Sequence, residues 1–249
     1  LPADRQGEVF HRYILGVYNL YDRLTTAFPQ ILFESCASGG GRFDPGMLYY
    51  APQGWISDDT DAAERVRIQY GTSMCYPISS MGSHVSVVPN HQLNRITSLH
   101  TRANVAYFGT FGYELDLNKL TDEEIAEVKA QIVFMKEYRE LIQFGNFYRL
   151  KSPFYGNETV WMTVSEDKRK ALVFWYRERN VVNAEFTRVR LQGLDPDLIY
   201  KNEYNGTENY GDELMNLGLL TTDVTAGEPT NEDLPCTDYE SRIYVLTAE

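Results

Sequence analysis

The hydrophobic positions near the beginning of the chain recur at the spacing of an amphipathic helix. Between residues 8 and 28 they stand three or four apart, at Val9, Tyr13, Val17, Leu20 and Leu24. Apolar side chains at this spacing line one face of a helix, and Pro29 ends the pattern. The short apolar run ILFESC follows at 31–36, as a buried strand would. A helix followed by a buried strand is typical of α/β proteins.

The same alternation of strand and helix continues to about residue 145. The pattern predicts strands near 31–35, 54–57, 74–79 and 104–108. It also predicts helices over 60–70, 91–103 and 121–144. The last helix is the clearest, because Thr121 and Glu124 form the capping box expected at a helix N-terminus. Four β/α units amount to half of a (β/α)8 barrel, which needs roughly 250 residues by itself.

After about Gly145, strand-like segments replace the helical spacing. These segments lie at 159–165, 170–178, 184–191, 197–204 and 241–247. A helical period returns only around residues 213–220. We therefore predict two domains, an α/β half-barrel at 1–145 and an antiparallel β-sandwich at 146–249.

Composition and charge exclude several classes of protein. The chain has 249 residues, of which 43% are apolar, so it can build a core and is not a disordered chain. Its formal charge of −12 argues against nucleic acid or an anionic membrane as a partner. No apolar run reaches the roughly 18 residues of a membrane span. The aromatic content of 13% suits sugar binding, but it suits the packing of β-sheets equally well.

The cysteines and histidines do not form a recognisable metal site. Cys36, Cys75 and Cys236 are odd in number and widely spaced, which favours a reducing compartment, so we expect a cytoplasmic protein. The histidines His11, His84, His91 and His100 include no HExxH motif. We predict no metal and no cofactor. Cys36 could also be a nucleophile, but no local signature supports that reading.

A glycine-rich segment follows the first predicted strand. Gly39, Gly40 and Gly41 stand in a row there. Consecutive glycines let the backbone approach a ligand and present its N–H groups, as in a phosphate cradle. The phosphate-binding motifs GxxxxGKS/T and GxGxxG are absent, so a plain glycine-rich turn remains an equal alternative.

An acidic segment follows the second predicted strand. Asp58, Asp59 and Asp61 lie within four residues, between an apolar strand and a helix. One of them could be a general acid, because neighbouring like charges and partial burial raise the pKa of a carboxyl group. Alternatively, Asp59 or Thr60 caps the helix and Asp61 lies in its first turn, near the positive end of the dipole. A calcium loop is less favoured, since the EF-hand spacing is missing.

Two stretches resemble glycoside hydrolase family 36, the bacterial and fungal α-galactosidases. The stretch from ILFESCASGGGRFD to GSHVS, at 31–86, is similar to the second half of that family's catalytic barrel. The opening LPADRQGEVFHRYILGVYNLYDRL resembles the segment after the family's nucleophile motif. The resemblance implies an α/β fold, the C-terminal half of a TIM (β/α)8 barrel followed by an antiparallel β-sandwich. It also implies a retaining enzyme that releases terminal α-linked galactose from melibiose or raffinose.

The resemblance also assigns roles to residues. The family's acid/base lies in a Ser-Asp-Asp-Thr-Asp motif, which places it at Asp58 here. Cys36 and Gly39 match residues that contact the sugar, and Trp55 is taken as a third substrate-binding residue. The family's Lys-Trp-Asp nucleophile motif occurs nowhere in the sequence. We therefore expect a C-terminal part of an α-galactosidase without its nucleophile. The full-length form is expected to be a homo-oligomer that acts on α-galactoside oligosaccharides.

Two other functions remain open from the sequence. The missing nucleophile is also consistent with a non-catalytic fragment that binds carbohydrate or takes part in assembly. A related glycosidase acting on N-acetylgalactosamine is less favoured, because the Cys36 side chain near the 2-position of the sugar would leave little room for an acetamido group.

Overall fold

The computed structural model describes residues 1–181, 186–221 and 238–248, which form six α-helices and twelve β-strands. The helices are α1 (Glu8–Ala27), α2 (Pro45–Tyr50), α3 (Ala62–Thr72), α4 (Leu99–Ala106), α5 (Asp122–Phe144) and α6 (Gly211–Asn216). The first six strands are β1 (Glu34–Ser35), β2 (Gln53–Gly54), β3 (Gly82–Ser86), β4 (Thr110–Glu114), β5 (Asn146–Lys151) and β6 (Glu158–Val164). The others are β7 (Lys170–Arg177), β8 (Arg188–Val189), β9 (Ile199–Asn202), β10 (Glu208–Tyr210), β11 (Leu219–Leu220) and β12 (Glu240–Ala248).

The first four strands are parallel, as a half-barrel requires. Strand β1 pairs with β2, with Ser35 opposite Gly54, and β3 pairs with β4. A parallel bridge between Gly54 and Met81 joins the two pairs. All the described pairings among these strands are parallel, so the predicted half-barrel is confirmed. Their carboxyl ends consequently meet at one end of the barrel.

Two of the four predicted strands were placed wrongly. The segment 74–79 contains no strand, because Ile78–Ser80 forms a 3-10 turn and β3 begins only at Gly82. The segment 104–108 overlaps helix α4, and the strand follows at Thr110–Glu114. Helix α4 is buried on almost every face, so its apolar run has no polar stripe and matches the pattern of a buried strand.

The two long helices agree with the hydrophobic pattern. In α5, the Thr121 hydroxyl accepts a hydrogen bond from the Glu124 N–H at 3.2 Å. The Glu124 carboxylate in turn accepts one from the Thr121 N–H at 2.9 Å, which completes the predicted capping box. Helix α1 also lies where it was predicted, but none of its residues is buried. The predicted helix at 91–103 is shorter, because it starts at Leu99, after Ser98 as its N-cap.

The C-terminal residues form an antiparallel sheet of six strands, in the order β10-β9-β12-β7-β6-β5. A second antiparallel pair, β8 with β11, covers one of its faces together with α6. These layers agree with the predicted antiparallel β domain. Part of the strand predicted at 184–191, and Cys236, lie outside the described residues.

The other face of the sheet packs against the half-barrel. Trp161 and Phe174 stack with their ring centroids 4.4 Å apart, and Phe108 lies 5.8 Å from each of them. Phe108 follows α4, so these rings place both parts of the chain in one hydrophobic core. The predicted domain boundary at residue 145 stays a prediction. Helix α5 ends at Phe144, and β5 begins at Asn146.

Candidate active site

The glycine-rich turn and the acidic turn touch at the carboxyl ends of β1 and β2. Gly39 has a φ of +71°, and a Cβ at this position would lie 2.5 Å from Ser57 Cα and 2.8 Å from Asp58 N. A Cβ on Gly40 would lie 2.8 Å from the Ile56 carbonyl oxygen. The two turns therefore fit backbone against backbone, at distances that only glycine permits.

We expect Gly39→Ala to destabilise the protein. The left-handed φ alone costs about 1–2 kcal/mol for a residue with a Cβ, and the contact with Ser57 adds to that cost. Thermal or urea unfolding measures the loss. Gly16→Ala is the matched control, because Gly16 lies inside α1 and an added Cβ would meet nothing within 4 Å beyond the backbone of its own helix. It should stabilise the helix by about 0.5–1 kcal/mol. Equal stability of Gly39→Ala and the wild type would contradict the prediction.

Asp58 is the acidic residue whose side chain is available for chemistry. It is exposed, and its carboxyl group accepts no hydrogen bond from the residues that the structure describes. Its position is set by its backbone, which Gly39 contacts from one side. A free carboxyl group on a fixed backbone, at the end of a parallel strand, is well placed to exchange a proton with a ligand.

The other two carboxylates serve the local structure. One Asp59 oxygen accepts the N–H of Asp61 at 3.0 Å, while the Asp59 N–H donates to Ser57 Oγ at 3.1 Å. Asp61 is the N-cap of α3, since its carboxylate accepts the N–H groups of Ala63 and Glu64. The expectation that Asp59 or Thr60 caps this helix, with Asp61 in its first turn, is therefore wrong.

Asp61 also forms a buried ion pair with Arg95. Its side chain is 1% exposed, and the Arg95 guanidinium donates directly to the same oxygen that caps the helix. Arg95 is 23% exposed and lies 3.4 Å from a second carboxylate, that of Glu64. The pair holds the loop that carries Arg95 against the beginning of α3.

Trp55 lies half-buried within a group of polar side chains from neighbouring strands. Its ring stacks on His84, with centroids 4.4 Å apart and planes 20° apart, and the Arg65 guanidinium carbon lies 4.7 Å from the Trp55 ring. His84 Nδ1 is 3.3 Å from a carboxylate oxygen of Glu114. On the other side, Gln53 donates to Glu34 at 2.9 Å. These side chains form a polar cluster at this end of the half-barrel.

Cys36 lies at the edge of the same region. Its thiol is free and exposed, and its carbonyl oxygen accepts a hydrogen bond from Arg42 at 3.2 Å. Arg42 also donates to the Tyr13 hydroxyl at 2.9 Å, which links the glycine-rich turn to α1. The structure therefore brings Cys36 and Gly39 into one turn and places that turn against the one carrying Asp58.

Sequence reasoning missed three members of this site. Arg65 and His84 both contact Trp55, and Glu114 lies beside His84, but no motif singles them out. Their only signal is position, since His84 and Glu114 lie on neighbouring parallel strands and Glu114 comes two positions after Gly112, the Cα partner of His84. Among the described residues, no group of three or more His, Cys, Asp or Glu could hold a metal ion. Within the same residues, no helix combines the length and apolarity needed to cross a membrane.

Two family models match the chain in order along its sequence. The model described as Melibiase matches residues 1–145. The model described as Glycosyl hydrolase family 36 C-terminal domain matches residues 158–246. The first therefore covers the half-barrel with the candidate site, and the second covers most of the antiparallel sheet.

Curated proteins with similar sequences are α-galactosidases. The chain is 57% identical over 219 residues to Alpha-galactosidase AgaA of Geobacillus stearothermophilus. It is 52% identical over 219 residues to Alpha-galactosidase Mel36A of Lactobacillus acidophilus. Each alignment covers 88% of this chain but 30% of the relative, so the chain spans under a third of these proteins.

Solved structures agree with these matches over the whole chain. A crystal structure of a substituted AgaA in complex with raffinose superposes with a TM-score of 0.91 at 51% identity, covering 100% of this chain and 33% of that one. The galactosidase domain of the α-galactosidase–sucrose kinase AgaSK gives a TM-score of 0.90 at 45% identity, covering 98% and 32%. By its sequence and its fold, the chain belongs to the melibiase family, glycoside hydrolase family 36.

Proposed function

We propose that this chain supplies the acid/base and part of the sugar pocket of a retaining α-galactosidase. The observation that carries the proposal is the contact between the two turns, in which Gly39 fixes the backbone of Asp58 while the Asp58 carboxyl group stays free. The relatives AgaA and Mel36A support it, since they are named α-galactosidases. Substituted forms of AgaA have been crystallised with raffinose and with stachyose, which are α-galactoside oligosaccharides.

In this mechanism, Asp58 acts twice. It first donates a proton to the glycosidic oxygen while a second carboxylate attacks the anomeric carbon and forms a glycosyl-enzyme intermediate. Asp58 then accepts a proton from the water that hydrolyses this intermediate, which restores its protonated form. A retaining enzyme needs the two carboxyl groups about 5–5.5 Å apart. No Lys-Trp-Asp motif is present in the sequence, so we place the nucleophile outside these 249 residues.

The sugar would lie against the two turns. Cys36 and Gly39 would contact it from the glycine-rich turn, and Trp55 from the end of β2. Because His84 and Arg65 already lie over the Trp55 ring, we propose that the indole meets the sugar with the part these two residues leave free. The exposed Cys36 thiol would limit the space beside the sugar, which favours galactose over its N-acetylated analogue.

The isolated chain should not hydrolyse p-nitrophenyl α-galactoside. Proton donation alone leaves the positive charge that develops at the anomeric carbon without a nucleophile to capture it. Release of p-nitrophenol measures the rate. The positive control is the longer enzyme, by which we mean the full-length α-galactosidase that we propose contains this chain and the nucleophile. Turnover within a factor of about ten of the typical 10 s⁻¹ would refute the assignment of the nucleophile.

A non-catalytic role remains the second candidate, because the sequence lacks the nucleophile motif. If the chain only binds carbohydrate, it should bind galactose or raffinose by itself, without the rest of the full-length protein. Calorimetric titration of the chain with raffinose distinguishes the two proposals. Tight binding that Asp58→Ala leaves unchanged, together with an inactive longer protein, would favour the binding role.

We also propose a cytoplasmic location and a homo-oligomeric longer protein. Two of the three cysteines, Cys36 and Cys75, are free and exposed, which fits a reducing compartment. The exposed apolar residues of helix α1, among them Phe10 at 81%, would be covered by the rest of the barrel, so the homo-oligomer is proposed from the family resemblance.

A further inference from the structure

Arg65 has an unusual environment for a charged side chain. It lies on α3, one turn after the acidic turn, and is only 3% exposed. Its hydrogen bonds go to uncharged groups, and it forms no ion pair with a carboxylate among the described residues. A buried charge without an ionic partner is costly, so a residue of this kind generally serves a purpose other than stability.

The partners of Arg65 belong to the candidate site. One Nη donates to the carbonyl oxygen of Gly82 on β3, and the other lies 3.4 Å from the carbonyl oxygen of Ser57, the residue before Asp58. The guanidinium also lies 4.7 Å from the ring of Trp55. A single side chain therefore contacts Trp55 just after β2, the neighbouring strand β3 and the acidic turn.

Arg65 is itself held from behind by Gln69. Its Nε lies 3.4 Å from the Gln69 side-chain oxygen, which also accepts a hydrogen bond from Ser83 Oγ at 2.9 Å. The Gln69 amide nitrogen donates to the Val105 carbonyl oxygen at 2.9 Å. Gln69 is buried as well, so the guanidinium has little freedom to move. Such support behind a functional group keeps it in the geometry that its chemistry needs.

The charge of Arg65 is maintained despite its burial. Burial lowers its pKa to about 10, and the negative charges of Asp59 and Glu114 oppose that shift. The guanidinium is therefore positively charged at neutral pH and can attract the electron-rich face of the Trp55 indole.

The packing of Gly82 supports the same arrangement. A Cβ on Gly82 would lie 2.9 Å from Cε3 of Trp55, so the indole occupies the space that a side chain would take. Gly82 thus leaves room for the ring, while its carbonyl oxygen receives the hydrogen bond from Arg65.

We propose that Arg65 is a positioning residue, which holds the indole of Trp55 and the Ser57 carbonyl group and thereby fixes where the Asp58 carboxyl group is presented. Its effect on catalysis rests on the proposed function, but its effect on Trp55 does not. Arg65 needs no contact with the substrate for this role.

The position of Trp55 can be tested on this chain directly. Its three tryptophans should give three ¹⁹F resonances after labelling with 5-fluorotryptophan, and Trp55→Phe assigns the relevant one. We expect Arg65→Met to shift or broaden the Trp55 resonance and to leave those of Trp161 and Trp175 unchanged. Arg65→Lys keeps a cation and should give a smaller change. If Arg65→Met fails to fold, Arg65→Lys still decides the question.

Arg102 provides a matched control. It is 6% exposed on the neighbouring helix α4 and donates to the Ser86 carbonyl oxygen at 2.7 Å, so it is also a buried arginine bound to a strand carbonyl. Arg102→Met should leave the Trp55 resonance in place. A Trp55 resonance that neither Arg65→Met nor Arg65→Lys alters, or that Arg102→Met moves equally, would overturn the proposal.

The catalytic effect is tested in the longer enzyme. Misplacing a reacting group by about 1 Å can cost 10²-fold, so Arg65→Met should lower kcat for raffinose by about 10²-fold. It should lower kcat less for p-nitrophenyl galactoside, whose leaving group needs little help from Asp58. Arg65→Lys should restore part of the loss, and Arg102→Met should leave kcat and KM unchanged.

An equal loss on both substrates would mean that Arg65 acts only on stability. An inactive wild-type enzyme would refute the proposed function. The Trp55 resonance would still test whether Arg65 positions the indole, because that measurement does not depend on activity.

Discussion

Replacing Asp58 with Ala in the longer enzyme is expected to lower the turnover of raffinose by about 10²–10⁴-fold, the usual contribution of general acid catalysis. Raffinose has a poor leaving group, so the first step depends on the proton that Asp58 donates. A substrate with a good leaving group, such as p-nitrophenyl galactoside, should lose less in that step. Azide should then restore turnover, because a small anion can attack the glycosyl-enzyme without a general base.

The neighbouring carboxylates are controls for this experiment. Asp59→Asn keeps the oxygen that accepts the Asp61 N–H, so the acidic turn should stay intact and the enzyme active. Steady-state rates on both substrates, with and without azide, separate the variants. If Asp59→Asn abolishes activity while Asp58→Ala keeps it, the acid/base has been assigned to the wrong carboxylate of the motif.

Replacing Asp61 with Ala is expected to cost about 3 kcal/mol of stability. Loss of an N-cap alone costs about 0.5–2 kcal/mol, and breaking a buried ion pair costs about 3–5 kcal/mol. The expected loss of stability is smaller than the sum of these two costs, because Arg95 is 23% exposed and can still pair with Glu64 after the substitution. A protein of this size loses about 2–4 °C of Tm for each kcal/mol, so the melting temperature should fall by about 6–12 °C. The first-turn position expected from the sequence would have cost only about 0.3–1 kcal/mol.

Asp61→Asn separates the two contributions. Asparagine caps a helix about as well as aspartate, so this variant removes the charge and keeps the cap. Its melting temperature should lie between those of the wild type and Asp61→Ala. If Asp61→Ala unfolds at the wild-type temperature, the ion pair with Arg95 contributes nothing to stability.

The sequence predicted elements whose signals are local. Helices α1 and α5 follow directly from their spacing and, in α5, from the Thr121 capping box. Most strands of the C-terminal half were found from their runs of β-branched and aromatic residues, but β5 and β10 of the six-stranded sheet, and β11 of the second pair, were missed. Strand β3 was missed because its residues are GSHVS, which lack the bulky side chains of a typical strand. Its Gly82 is needed because Trp55 fills the space of a side chain, and that requirement is not visible in sequence.

The candidate site was predictable only as far as its motifs extend. The two turns could be expected to meet, since the carboxyl ends of neighbouring parallel strands lie at one end of a barrel. The pairing of Asp61 with Arg95 joins residues 34 apart in sequence, and nothing between them indicates that contact. Arg65 likewise matches an ordinary charged position on an amphipathic helix, and only the fold reveals that it is buried.

The ring contacts of Phe108, Trp161 and Phe174 have a consequence for exchanging parts between relatives. Since these side chains interlock across the boundary, the half-barrel and the sheet should unfold together in one cooperative transition. The polar contacts point the same way, because Asn104 on α4 donates to Ser241 on β12 at 3.0 Å. A chimera that joins this half-barrel to the C-terminal sheet of another relative must therefore also inherit the surface of α4 that faces the sheet.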